Sequence, residues 1–336
     1  MKNKALVSLS VISLSVFAML ISCNQQKTEW KGTIEEVDGI TVVKNPNEPL
    51  YGEIEFELEE NMSIQQKTNF IKFSRIDKAW KYTKGNDTKV AILDWLFDVS
   101  PEALEKYLNP TSLVPGEPIG SGESWHGEWM AEIVHRIAPE AKIIPIRTRR
   151  LQTKKDKSGS KSQTYEPYLI KGIYFAVDQG VVAITNSMGP VKHSDSLRAA
   201  IDYAEEKGTV FINVHPEYLV YTNDNYKECV SDTIDKRIIH PGLVSVPKYP
   251  VEPELNRDVY VWPYQINPIF KDGWGYSNGP PIVAGVIALM KSANPNLTPK
   301  EVRNIIVKTT YIWQSFNVLD AEAAVKESIR RKDNRL

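Results

Sequence analysis

From about residue 75 onward, short apolar runs alternate with helix-spaced segments, and that alternation admits few architectures. Lys89–Asp94 (KVAILD), Lys142–Arg147 (KIIPIR), Val181–Thr185 (VVAIT) and Thr209–Val214 (TVFINV) are continuous apolar runs. Such runs suit strands buried on both faces. Between them, Trp125–Ile137, Tyr168–Gly180 and Ser194–Gly208 show helical spacing, and the last two close on glycine. Residues 215–257 are irregular and rich in proline, with a short strand predicted at Leu243–Val246. Another strand is predicted at Asp258–Trp262. Helices are predicted over Ile282–Met290, from Thr298 and over Asp320–Arg330. Thr298 with Glu301 forms a capping box, and Pro299 suits the first helical position. Together these units predict an α/β fold with a mostly parallel sheet covered by helices on both faces.

The N-terminal segment follows other rules. Met1–Lys4 is basic, Ala5–Leu20 is apolar, and small residues precede Cys23. This is the pattern of an export signal, which stays outside fold reasoning. The Leu20-Ile21-Ser22-Cys23 run resembles a bacterial lipobox. That resemblance implies cleavage before Cys23 and a lipid on its thiol, so an exported protein anchored in the cell envelope. Residues 23–72 read as a tether and a small β-rich extension, with Asp-Gly and Asn-Pro turn signals. The division is then 1–22 signal, 23–72 extension and 73–336 main domain. Two cysteines, Cys23 and Cys229, leave no disulfide framework. A net charge of −1 gives no reason to expect a nucleic-acid partner.

Sites on parallel sheets gather at the carboxyl ends of strands. Asp94 ends the first predicted strand, His126 opens a helix, and Ser277 lies in the turn before another. Pro280 and Pro281 suit that helix's first turn, where a missing N–H costs nothing. The positive end of a helix stabilises nearby negative charge, which favours a nucleophilic serine there. Acyl transfer needs a nucleophile, a base and an acid that orients the base. Asp, His and Ser in this order form one of the known chain orders of that triad. Residue by residue, blander roles stay open. Asp94 also suits a strand-end turn, His126 a packed histidine and Ser277 a helix cap.

Four blocks in order resemble the subtilisin-like serine peptidases, from about Ile76 to Val325. They are IDKAWKYTKGNDTKVAILDW, HGEWMAEIVHRIAPEAKIIPIR, ITNSMG and GYSNGPPIVAGVIALMKSANPNLTPKEVRNII. The resemblance implies a subtilisin-like fold and a serine endopeptidase acting on peptide or protein through an acyl-enzyme. It places Ser277 on the nucleophile, His126 on the base and Asp94 on the orienting acid. Ser187, Met188 and Gly189 fall on the cleft strand, whose backbone would pair with an extended substrate. No cofactor is implied, and no Asp-rich calcium loop stands out in the sequence.

The chain departs from the family where the oxyanion donor belongs. The family strand ends in Ala-Ala-Gly-Asn; here it reads INVHPE. Ungapped counting puts Glu217 on the asparagine position, with His215 and Asn213 as the other candidates. An ionised glutamate only accepts hydrogen bonds, so it would oppose an oxyanion. Tyr276 also stands where the family has threonine, and Glu128 and Glu132 interrupt its histidine motif. Two functions follow: a peptidase with an unusual oxyanion donor, or a weak or inactive homologue that binds peptides or serves a structural role. Arg147–Lys161 carries seven basic residues and one acid. It suits a solvated loop, and being next to the cleft it predicts a bias toward acidic peptides. Competition between matched acidic and basic peptides tests this, and equal use of both contradicts it.

Overall fold

The computed structural model describes residues 33–37, 40–44, 55–57, 70–122, 126–150, 166–222, 225–228, 234–244, 251, 253–254, 256–262 and 275–334. The expected signal segment and Cys23 lie outside them, as do Cys229 and residues 151–165. Among the described residues no helix is long and apolar enough to cross a membrane.

Strands β1 (Thr33–Val37), β2 (Ile40–Lys44) and β3 (Glu55–Glu57) form a small antiparallel sheet within the segment read as β-rich. Helices α1 (Phe70–Phe73) and α2 (Ile76–Ala79) lead into β4 (Lys89–Asp94). The chain continues through β5 (Phe97–Asp98), α3 (Pro101–Lys106), β6 (Thr111–Ser112) and β7 (Gly120–Ser121). Then come α4 (His126–Ile137), β8 (Lys142–Arg147), α5 (Glu166–Asp178), β9 (Ala183–Asn186), α6 (Asp195–Glu206) and β10 (Val210–Asn213). The hairpin β11 (Tyr218–Thr222) and β12 (Asn225–Glu228) precedes β13 (Pro241–Leu243) and β14 (Val259–Val261). A 3-10 turn at Tyr276–Asn278 feeds α7 (Gly279–Ala293), followed by α8 (Pro299–Lys308). The chain closes with β15 (Tyr311–Trp313), β16 (Phe316–Val318) and α9 (Ala321–Asp333).

The main sheet runs β10-β9-β4-β8-β6, and every pairing in it is parallel. β4 is paired on both edges, and its apolar residues alternate between two cores. Val90 and Ile92 pack in one core with α4 and α7, while Ala91 and Leu93 pack in the other with α5 and α6. A strand covered on both faces needs no polar face, which explains the unbroken apolar run. The chain leaves β4, adds β8 on one side, then crosses to add β9 on the other. Sheets of this kind bind ligands at such a switch point, here at the carboxyl ends of β4 and β9.

The irregular stretch differs from expectation in detail. The short strand lies at Pro241–Leu243, earlier than predicted, and β11–β12 is a hairpin inside the region read as loops. The expected loop from Arg147 begins with a correction. Arg147 is the last residue of β8 and fully buried, bonded to Glu117 and to the Pro118 carbonyl.

α7 is buried from Gly279 to Lys291, as its all-round apolar sequence requires. It packs closely on α4. A Cβ at Gly285 would lie 2.7 Å from Ile137 Cγ2 and 2.8 Å from Ile137 Cβ. This contact sets how closely α4 and α7 approach each other at the Ile137 end of α4. Gly285→Ala is therefore expected to destabilise the fold by about 1–3 kcal/mol, through overpacking against a branched side chain. Chemical denaturation checks this, and unchanged stability contradicts it.

Candidate active site

Asp94 ends β4 with its carboxylate completely buried. A buried charge needs partners, and among the described residues Asp94 has two. The Trp95 N–H donates to Oδ1 at 2.7 Å. His126 Nδ1 faces Oδ1 and Oδ2 at 2.9 and 3.0 Å. The ionised carboxylate only accepts, so Nδ1 carries the hydrogen and Nε2 offers a lone pair. His126 opens α4 and is anchored by its neighbour: Gly127 N–H donates to the Leu96 carbonyl at 3.0 Å. A Cβ at Gly127 would sit 2.5 Å from that oxygen, so only glycine permits the approach.

Burial acts to lower the His126 pKa, but the Asp94 charge and hydrogen bond outweigh it and the net shift is upward from 6.5. The nearby Arg149 charge opposes this rise. A raised folded value means the pair's stabilisation is fully present below the unfolded pKa. It is lost as pH rises through the folded value.

Ser277 lies in the 3-10 turn before α7, and that turn packs against α4. It forms a reciprocal pair with Ser187, the residue after β9. Ser187 Oγ donates to the Ser277 carbonyl at 2.8 Å, and Ser277 Oγ donates to the Ser187 carbonyl at 3.3 Å. The neighbouring carbonyls of the expected cleft strand are also engaged. Arg149 Nη1 donates to Met188 O at 3.0 Å, and Asn213 Nδ2 to Gly189 O at 3.3 Å. The first turn of α7 is poor in available N–H groups. Pro280 and Pro281 have none, while those of Asn278 and Gly279 bond Gly275 O and Tyr276 O.

The three oxyanion candidates diverge. Asn213 ends β10, fully buried; its amide donates to His215 O at 2.6 Å as well as Gly189 O, and accepts from Asn186. Glu217 turns into an internal cluster, where its carboxyl is wholly buried. It accepts from His193 Nδ1 at 3.2 Å and from the Asp235 N–H at 3.2 Å. Burial raises its pKa, against the lowering effect of these two donors. His215 packs its ring on Tyr276, the residue before Ser277, with ring centroids 5.5 Å apart. Arg257 Nη2 faces His215 Nδ1 at 3.4 Å.

The subtilase family profile matches residues 219–333, a span that contains Ser277 and follows Asp94 and His126. Thermitase from Thermoactinomyces vulgaris is 26% identical over 178 residues, 48% of this chain and 61% of thermitase, so that match spans less than two thirds of its length. Subtilisin DY from Bacillus licheniformis is 25% identical over 271 residues, 72% of this chain and 92% of the subtilisin. Among solved structures, MycP3 protease from the type VII (ESX-3) secretion system superposes with a TM-score of 0.62 at 17% identity. That match covers 80% of this chain and 91% of MycP3. The fold is subtilisin-like.

On this subtilisin-like frame, Asp94 and His126 are hydrogen-bonded to each other, Ser277 is bonded to Ser187, and the Ser277 turn packs against the helix that His126 opens. Sequence reasoning missed Arg257 and Glu254 as neighbours of the site. Arg257 and Glu254 lie in the proline-rich stretch, where no periodicity reveals which side chain turns inward. Arg149, in the basic segment expected next to the cleft, does reach the Met188 carbonyl, and its charge acts on His126. Among the described residues no cluster of His, Cys, Asp and Glu could hold a metal ion. Asp94→Asn is expected to lower the His126 pKa, since burial and Arg149 then act without the carboxylate. NMR titration of the imidazole checks this, and an unmoved midpoint contradicts it.

Proposed function

We propose that this chain is a serine endopeptidase working through an acyl-enzyme. The observation that carries the reading is the bond from His126 Nδ1 to the buried Asp94 carboxylate, with the Ser277 turn packed against the helix His126 opens. In the reaction Ser277 Oγ leaves the Ser187 carbonyl and gives its proton to His126 Nε2 as it attacks the scissile carbonyl carbon. Asp94 holds the ring in the required tautomer and stabilises the imidazolium. The imidazolium then protonates the leaving amine as the C–N bond breaks. Water, deprotonated by His126, hydrolyses the ester and regenerates Ser277. A substrate strand laid along Ser187–Gly189 would exchange with the bonds those carbonyls make in the resting protein.

A second reading, peptide binding without efficient cleavage, draws on the resting bond of Ser277 Oγ to Ser187 rather than to His126. Reaction of the full chain with a fluorophosphonate probe separates the two. Covalent labelling that disappears in Ser277→Ala is expected. A folded protein that does not label favours the binding reading.

A further inference from the structure

We propose that His215 donates the hydrogen bond to the oxyanion, and that Arg257 is the positioning residue that fixes its tautomer. The inference rests on the peptidase reading. Attack by Ser277 leaves negative charge on the former carbonyl oxygen, and a preorganised donor must face it. Several other groups near the serine turn are committed. Both hydrogens of the Asn213 amide are used within the sheet end, on Gly189 O and His215 O. Glu217 is an acceptor whose carboxyl faces His193 and Asp235. Pro280 and Pro281 remove two donors from the α7 terminus, and the N–H groups of Asn278 and Gly279 are spent in the turn.

His215 has what these groups lack. It follows the carboxyl end of β10 by two residues and lies against Tyr276, beside the nucleophile. Its Nδ1 is faced by the Arg257 guanidinium, which can only donate. Nδ1 therefore carries the lone pair and Nε2 the hydrogen. Among the described residues, no hydrogen bond occupies Nε2.

Arg257 is itself held firmly. Its side chain is only 3% exposed. Nη1 donates to Val214 O at 2.7 Å and Pro241 O at 3.2 Å, and Nε to Glu254 Oε2 at 2.7 Å. Glu254 also accepts from the Tyr276 hydroxyl, and the guanidinium lies 5.2 Å over the Tyr276 ring. Glu254, Arg257, His215 and Tyr276 thus form one connected support behind the serine turn. Burial and the Arg257 charge, opposed by Glu254, hold the His215 pKa down at about 4. At neutral pH the ring is a neutral donor with its hydrogen on Nε2.

The test measures tautomer and acylation in the full chain. Nitrogen-15 NMR of labelled histidine, with the His215 signals assigned by their loss in His215→Gln, is expected to show the Nε2–H tautomer at pH 7. Arg257→Met is expected to bring in the Nδ1–H form. His215→Ala is expected to slow acylation of Ser277 by a fluorophosphonate, and kcat on a peptide substrate, by about 10²–10³-fold, the loss one such donor causes in a subtilisin. KM should change little. His215→Gln, whose amide still donates, should recover part of the loss. An Nδ1–H tautomer in the wild type overturns the proposal. So does wild-type acylation by His215→Ala, while leaving the peptidase reading intact. A wild-type protein whose Ser277 never reacts removes that reading and the oxyanion role with it. If His215→Ala fails to fold, His215→Gln and the wild-type tautomer decide: full loss of acylation in a folded Gln variant, or the wrong tautomer, overturns the proposal.

Discussion

Everything at the site hangs on β4 being hydrogen-bonded along both edges. β8 and β9 flank it in parallel register, and two helical layers cover its faces. Asp94 is therefore delivered to the end of a strand held on both edges and both faces. Its carboxylate emerges fully buried, where the charge needs donors. The Trp95 amide and His126 supply them. A buried carboxylate with fixed donors is costly to leave unpaired, so the pairing also holds His126 in place. The imidazole is thus oriented by the sheet rather than by its own helix.

Ser277 is delivered by the opposite logic. α7 is apolar on all sides and lies buried against α4 and the sheet. The Gly285–Ile137 contact allows the two helices to approach closely. The turn ahead of α7 then meets the residue following β9, and the paired Ser187 and Ser277 bonds tie sheet to turn. This couples the positions of two segments that are 90 residues apart. Local strength in either segment alone could not set that distance.

Much of the frame was legible. Helices α4, α5, α6, α8 and α9 lie within a few residues of their predicted limits, because apolar periodicity, glycine stops and the Thr298 capping box report local energetics. The β15–β16 hairpin was not legible. Its turn places Gln314 and Ser315 at φ 45° and 71°, a conformation usually marked by glycine or asparagine. Packing overrides the missing signal: Trp313 and Phe316 are buried in the core. Arg147 misled as part of a basic run, because charge composition does not reveal that Glu117 and Pro118 receive its guanidinium.

By itself the sequence determined the α/β alternation and the elements that carry Asp94, His126 and Ser277. Periodicity, caps and turn residues act between neighbours in the chain, so a reader of the chain recovers them. Only the tertiary structure decided which polar atoms near the serine turn remain available. His215 and Glu217 are two residues apart, yet one lies beside Tyr276 and Arg257 while the other is enclosed by His193 and Asp235. Whether a donor is spent or free depends on partners brought in from distant segments, and no local pattern encodes that.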